Sequence, residues 1–119
     1  ELYEWDYGDY EGKTSAEIHA SHPHWNLFLN GAPNGESPEN VHKRAKSFLK
    51  KIEPLEGTIA IFSHGHFSRA LAITFLGLNI NLGEIFMLST ASFSILSFKN
   101  QSPTLLLWND TSHLKNQVL

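Results

Sequence analysis

Two stretches of the chain carry side chains able to do chemistry. The first is EWDYGDYEGKT, residues 4–14, where Glu4, Asp6, Asp9 and Glu11 alternate with Trp5, Tyr7, Tyr10 and two glycines. It has no period of two or of 3.6, so it reads as an ordered loop whose acids face something specific. The second is IAIFSHGHFSRALA, residues 59–72, in which His64 falls between an apolar run and a helical pattern. A helix N-terminus beyond a strand end offers free backbone N–H groups to an anion. Gly65 allows close approach of the backbone there, and a His at that point can bind or protonate a phosphate oxygen. The plainer role for His64 is to cap the helix or satisfy a buried carbonyl.

Other chemistries use the same residues. His64-x-His66 has the form of a metal pair, which needs further His or carboxylate ligands. His19, His22 and His24 are close in sequence, but i and i+2 diverge on a helix and Pro23 interrupts any regular face. An exposed polar loop accounts for them more simply. Ser63 and Ser68 lack the Gly-x-Ser-x-Gly elbow of a serine nucleophile. Asn34-Gly35-Glu36-Ser37 is largely turn and N-cap chemistry, and Trp25, Phe28 and Trp108 suit packing better than a ligand cage.

The elements that must position these residues follow from capping and periodicity. Thr14 and Glu17 form a capping box that opens a short helix to about Ala20. Residues 22–40 read as a loop with one short apolar patch and the turns Asn30-Gly31 and Asn34-Gly35. Ser37 caps a helix with Pro38 at its first position. Val41, Ala45, Phe48, Leu49 and Ile52 fall on one face, and Pro54 lies just beyond its end. Thr58–Ser63 suits a buried parallel strand. Residues 66–76 are apolar nearly all round and predict a buried helix ending at Gly77. Residues 90–98 and 104–109 predict two strands joined by a turn at Lys99–Pro103, which makes the chain α/β.

Composition narrows the classes. The 119 residues suit one domain, with 41% hydrophobic and 18% charged residues. Net charge is −3 with no basic stripe, which argues against nucleic acid as a partner. No apolar run reaches the length of a membrane span, and no signal or transit peptide is visible. There is no cysteine, hence no disulfide framework and no thiolate site. Met87 is the only methionine, so the start reads as a cut rather than a beginning.

Four blocks in series resemble the histidine phosphatase superfamily, its phosphoglycerate-mutase-like branch: residues 2–12, 35–37, 62–71 and 105–114. The resemblance covers nearly the whole chain. It implies part of a three-layer sandwich with a mostly parallel sheet, with residues 1–119 forming the carboxy-terminal portion of the domain and the first strands missing. It further implies Glu4 as general acid and His64 as second histidine of a phosphate pocket. Ser63 and the backbone of Gly65 and His66 would hold phosphate, and Tyr7, Tyr10 and the 22–34 loop would form the mouth. Trp5 would lend the acid a low-polarity setting. No Arg-His-Gly nucleophile block is present. Arg44 and Arg69, the only arginines, sit in predicted helices on the wrong side of the motifs.

The expectation is a cytoplasmic phosphate monoesterase acting through a phosphohistidine, on a small phosphorylated metabolite, with neither metal nor other cofactor. Its nucleophile would come from an upstream segment, and the open sheet edge would be covered by that segment or by another copy of the chain. This chain alone is expected to be inactive. An inactive fragment or binding module, and a phosphoglycerate mutase, are the alternatives. A mutase must shield its phospho group from water, and nothing in the sequence shows the loop closure for that.

Overall fold

The computed structural model describes residues 1–115, so the last four positions of the expected 1–119 domain lie outside it. The helices form where the caps predict. Helix α1 spans Ser15–Ser21 behind a complete Thr14/Glu17 capping box. Helix α3 spans Pro38–Ile52, where Ser37 and Asn40 exchange the equivalent pair of bonds. Helix α4, Gly65–Phe75, buries Phe67, Ala70, Leu71, Ala72, Ile73 and Thr74, in keeping with its apolar pattern. A further helix, α2 (Leu27–Asn30), lies inside the segment read as loop. Its cap is the Asn26 side chain, and four residues are too few to show a helical period.

The core joins these helices to the opening loop. Trp5, Leu27, Phe28, Val41, Ala45, Phe67, Ala70 and Leu71 form one buried cluster. Trp5 meets Phe28 edge to face at 5.1 Å between ring centres. The Trp5 indole N–H donates to the Glu36 carbonyl at 2.9 Å, so the ring is buried with its polar atom satisfied.

Two strands, β1 (Phe93–Lys99) and β2 (Ser102–Asp110), form an antiparallel hairpin. Asn100 and Gln101 both take positive φ, 50° and 67°, which is the backbone of a two-residue hairpin turn. The pairing is Phe98 with Pro103 and Leu96 with Leu105, and register shifts on either side of Ile95 bend the ribbon. Phe98 packs on Phe75 at the end of α4, 5.1 Å between centres.

The expected strand over 58–63 is not formed: this segment joins no sheet among the described residues. It is not buried either, with Ile59 and Ile61 each 38% exposed and Phe62 87% exposed. A strand is defined by its partner, and none of the described residues offers one. The sheet is thus a two-stranded antiparallel hairpin within an α/β arrangement.

Candidate functional site

The opening loop folds onto α4 through one side chain. Glu4 Oε1 accepts the Phe67 N–H at 2.8 Å and its neighbour Trp5's N–H at 2.8 Å. Glu4 Oε2 accepts the His66 N–H at 3.0 Å. The carboxylate therefore occupies the positive end of α4, where orphan N–H groups and the helix dipole favour an anion. The His66 N–H, expected to face a phosphate, is thus given to Glu4. His64 is the N-cap residue of α4, exposed and without a side-chain capping bond, so it does not play the plain capping role. A Cβ added at Gly65 would approach nothing nearer than Glu4 Oε2, at 4.0 Å. Ser63 Oγ donates to the Leu2 carbonyl at 2.7 Å, which fixes the chain just before His64 against the opening loop.

Tyr7 and His66 meet above this junction. The Tyr7 hydroxyl and His66 Nδ1 are 2.5 Å apart, with the rings edge to face. Burial, reinforced by the charge of Glu4, pushes the Tyr7 phenol well above its ordinary range. Burial also holds His66 below its ordinary 6.5, with Arg69 acting in the same direction and Glu4 against it. Both groups are thus kept neutral. Tyr10 sits apart, edge to face with Trp25 at 5.3 Å and near His22. A cleft of about 620 Å³ runs between these groups, lined by Tyr7, Tyr10, Trp25, Phe28, His66 and Arg69 among others. Among the described residues no three His or carboxylate groups gather as a metal ion would need. No helix among them is long and apolar enough to cross a membrane.

Both arginines lie beside the motifs, contrary to the sequence expectation. Arg69 donates to the carbonyls of Gly83 and Glu84, each at 2.9 Å, and its guanidinium lies 4.8 Å from the Phe28 ring centre. Arg44 makes a two-pronged ion pair with Glu36, at 2.9 and 2.8 Å. It also donates to the carbonyls of Glu1 and Tyr3. Glu36 in turn accepts the Asp6 N–H at 3.0 Å, and its own N–H donates to the Asp6 carbonyl at 2.9 Å.

Two glycines complete the fastening. A Cβ on Gly35 would lie 2.3 Å from the Asp6 carbonyl and 2.6 Å from the Gly8 nitrogen. Gly8 itself has φ +49° and is as tightly hemmed by residues 33–35. The turn at 33–36 is therefore the floor on which the acid loop lies, a role invisible in its turn and cap chemistry alone.

The neutrality of His66 has a measurable consequence. A His whose folded value is lowered binds its proton first in the unfolded chain, so its contribution to stability is complete above about pH 6.5 and is lost as pH falls through the folded value. His42, held low by burial and by Lys46, acts in the same direction. The melting temperature is expected to fall between pH 7 and 5, and less steeply in His66→Gln. Parallel curves for the two proteins would refute this.

The chain is similar to known proteins of one family. The model of the histidine phosphatase superfamily, branch 1, matches residues 1–111. An acid phosphatase of Mycobacterium tuberculosis is 39% identical over 114 residues, covering 94% of this chain and 56% of that protein. A sedoheptulose 1,7-bisphosphatase of Saccharomyces cerevisiae is 33% identical over 98 residues, covering 67% of this chain and 36% of that one. Among solved structures, the product of an open reading frame of Mycobacterium tuberculosis superposes with a TM-score of 0.83 at 38% identity, covering 89% of this chain and 56% of that one. The chain thus spans about half the length, or less, of these relatives.

Proposed function

Because this chain belongs to the histidine phosphatase superfamily, branch 1, we propose that it forms the carboxy-terminal part of a phosphate monoester hydrolase that works through a phosphohistidine. The observation that carries this reading is Glu4 hydrogen-bonded to the first turn of α4, beside His64, across some sixty residues of sequence. An acid and a histidine are thereby held at one helix N-terminus, as transfer of a phosphoryl group requires.

In this mechanism the nucleophilic His belongs to an Arg-His-Gly segment upstream of these residues. Its ring nitrogen attacks phosphorus while the P–O bond to the leaving group breaks. Glu4 in its protonated form gives that proton to the departing oxygen. The resulting carboxylate, the state its three N–H partners favour, later takes a proton from the water that attacks the phosphohistidine, releasing inorganic phosphate. His64 and the Gly65 N–H stabilise charge on the phosphoryl oxygens. Tyr7, Tyr10 and the 22–34 loop form the mouth that admits a small phosphorylated metabolite. The names of the acid phosphatase and bisphosphatase relatives favour hydrolysis over mutase chemistry.

The complete domain, in this reading, is a three-layer sandwich with a mostly parallel sheet. Its upstream strand pairs with residues 58–63, whose exposed apolar side chains and free backbone edge are suited to one. Residues 1–119 alone do not turn over phosphate esters.

Trapping the intermediate in the full-length protein tests the assignment. The phosphate is expected on the upstream segment, and His64→Ala slows both its formation and its breakdown. Turnover persists in a strong chelator, because the charge is met by the arginine of the upstream Arg-His-Gly segment and by N–H groups. Phosphate on His64 itself would reverse its role, and loss of activity restored by zinc would make His64 and His66 ligands.

A further inference from the structure

The Tyr7–His66 contact is not used by the reaction above. We propose that Tyr7 is a positioning residue that locks His66 as the neutral Nε2–H tautomer, and that this N–H selects substrates whose leaving group carries an acceptor oxygen beside the scissile ester. The substrate half of the proposal rests on the phosphatase reading; the tautomer half does not.

The chemistry of the two groups supplies the direction of the bond. At 2.5 Å, Tyr7 O–H and His66 Nδ1 are each other's partner. If Nδ1 carried the proton, the phenol would accept, and its own hydrogen would turn to Glu4, which also acts on it. A phenol O–H is the stronger donor and an imidazole nitrogen the stronger acceptor of this pair, and the Glu4 oxygens already take three backbone N–H groups. A phenol that donates to Nδ1 leaves the proton of a neutral imidazole on Nε2.

The surroundings keep that imidazole neutral. The charged groups facing it are Glu4 from the opening loop and Arg69 from its own helix. Phe28 of α2 packs its ring 6.0 Å from the imidazole centre. His66 is a wall of the 620 Å³ cleft, its side chain 36% exposed, and Nε2 has no hydrogen-bond partner among the described residues. What the cleft receives from His66 is a neutral donor. Such a donor recognises a hydroxyl or carbonyl oxygen and gives an alkyl leaving group nothing.

Nitrogen NMR of the histidine-labelled full-length protein at pH 7.5 tests the first half, with His66 assigned by the signals lost in His66→Gln. The expected pattern is an unprotonated Nδ1 and a protonated Nε2 for His66, shifting in Tyr7→Phe to a mixture of tautomers. A merely structural tyrosine would leave that pattern unmoved. A protonated Nδ1 in the unaltered protein, or an unmoved pattern in Tyr7→Phe, overturns the lock. The second half is read from the ratio of kcat/KM for glycerol 1-phosphate to that for propyl phosphate. A net hydrogen bond of ordinary strength predicts a preference of about three- to tenfold, lost in His66→Phe and reduced in Tyr7→Phe. An unchanged ratio in His66→Phe overturns the selection. If the unaltered protein fails to hydrolyse even p-nitrophenyl phosphate, the phosphatase reading falls, while the nitrogen signals still decide the tautomer.

Discussion

Glu4→Gln is expected to lower kcat on an alkyl phosphate by about 10²–10⁴-fold in the full-length enzyme, and to lower it much less on p-nitrophenyl phosphate. The first leaving group is a strong base that must receive a proton as the P–O bond breaks. The second departs as a stable anion and needs little help. Gln is nearly the shape of Glu but carries no transferable proton. It also disturbs the cap of α4, since Glu4 Oε1 and Oε2 both accept N–H groups and only one amide oxygen remains to do so. That structural damage falls on both substrates alike. The ratio of the two rates therefore isolates the proton. Equal losses would mean that Glu4 only anchors the loop to α4.

What was legible in the sequence was local. The capping box at Thr14, the Ser37 cap and the buried character of α4 each depend on residues close in sequence, and all formed as expected. The hairpin turn came out as the two residues Asn100 and Gln101 within the span Lys99–Pro103. The strand expected at 58–63 is not formed among the described residues, because β-rich composition describes what a segment can pair with, not whether a partner is present. Helix α2 was missed because its cap is a single Asn side chain and its length is one turn. The larger loss concerned Arg44, Glu36 and Arg69. A charged residue in a helical pattern looks solvated, and only tertiary structure shows that Arg44 reaches across to the opening loop. The adjacency of Gly8 and Gly35 is equally non-local, and each glycine alone signals no more than a turn.

Arg44→Met is expected to destabilise the protein by about 3–5 kcal/mol, a large fraction of the roughly 5–15 kcal/mol that holds a domain folded. The Arg44 and Glu36 side chains are only 11% and 16% exposed, so little solvent screens them. The Arg44 guanidinium carbon also lies over two rings, 3.9 Å from the Tyr3 centre and 4.2 Å from that of Phe67. Met preserves much of that apolar contact, so the loss it causes is chiefly electrostatic. It strands the Glu36 carboxylate with the Asp6 N–H and frees the carbonyls of Glu1 and Tyr3. The penalty arises from the uncompensated charge more than from the lost attraction. The double variant Arg44→Met, Glu36→Gln is accordingly expected to be more stable than Arg44→Met alone. Urea denaturation of the three proteins measures this, and an Arg44→Met variant within about 1 kcal/mol of the parent would refute it. The consequence reaches the site. Tyr3 and Glu4 are neighbours on one strap, and the same guanidinium lies 3.5 Å from the Glu4 carbonyl. Loosening that strap lets the acid drift from α4, so Arg44→Met is expected to lose turnover on alkyl phosphates even at temperatures where it remains folded.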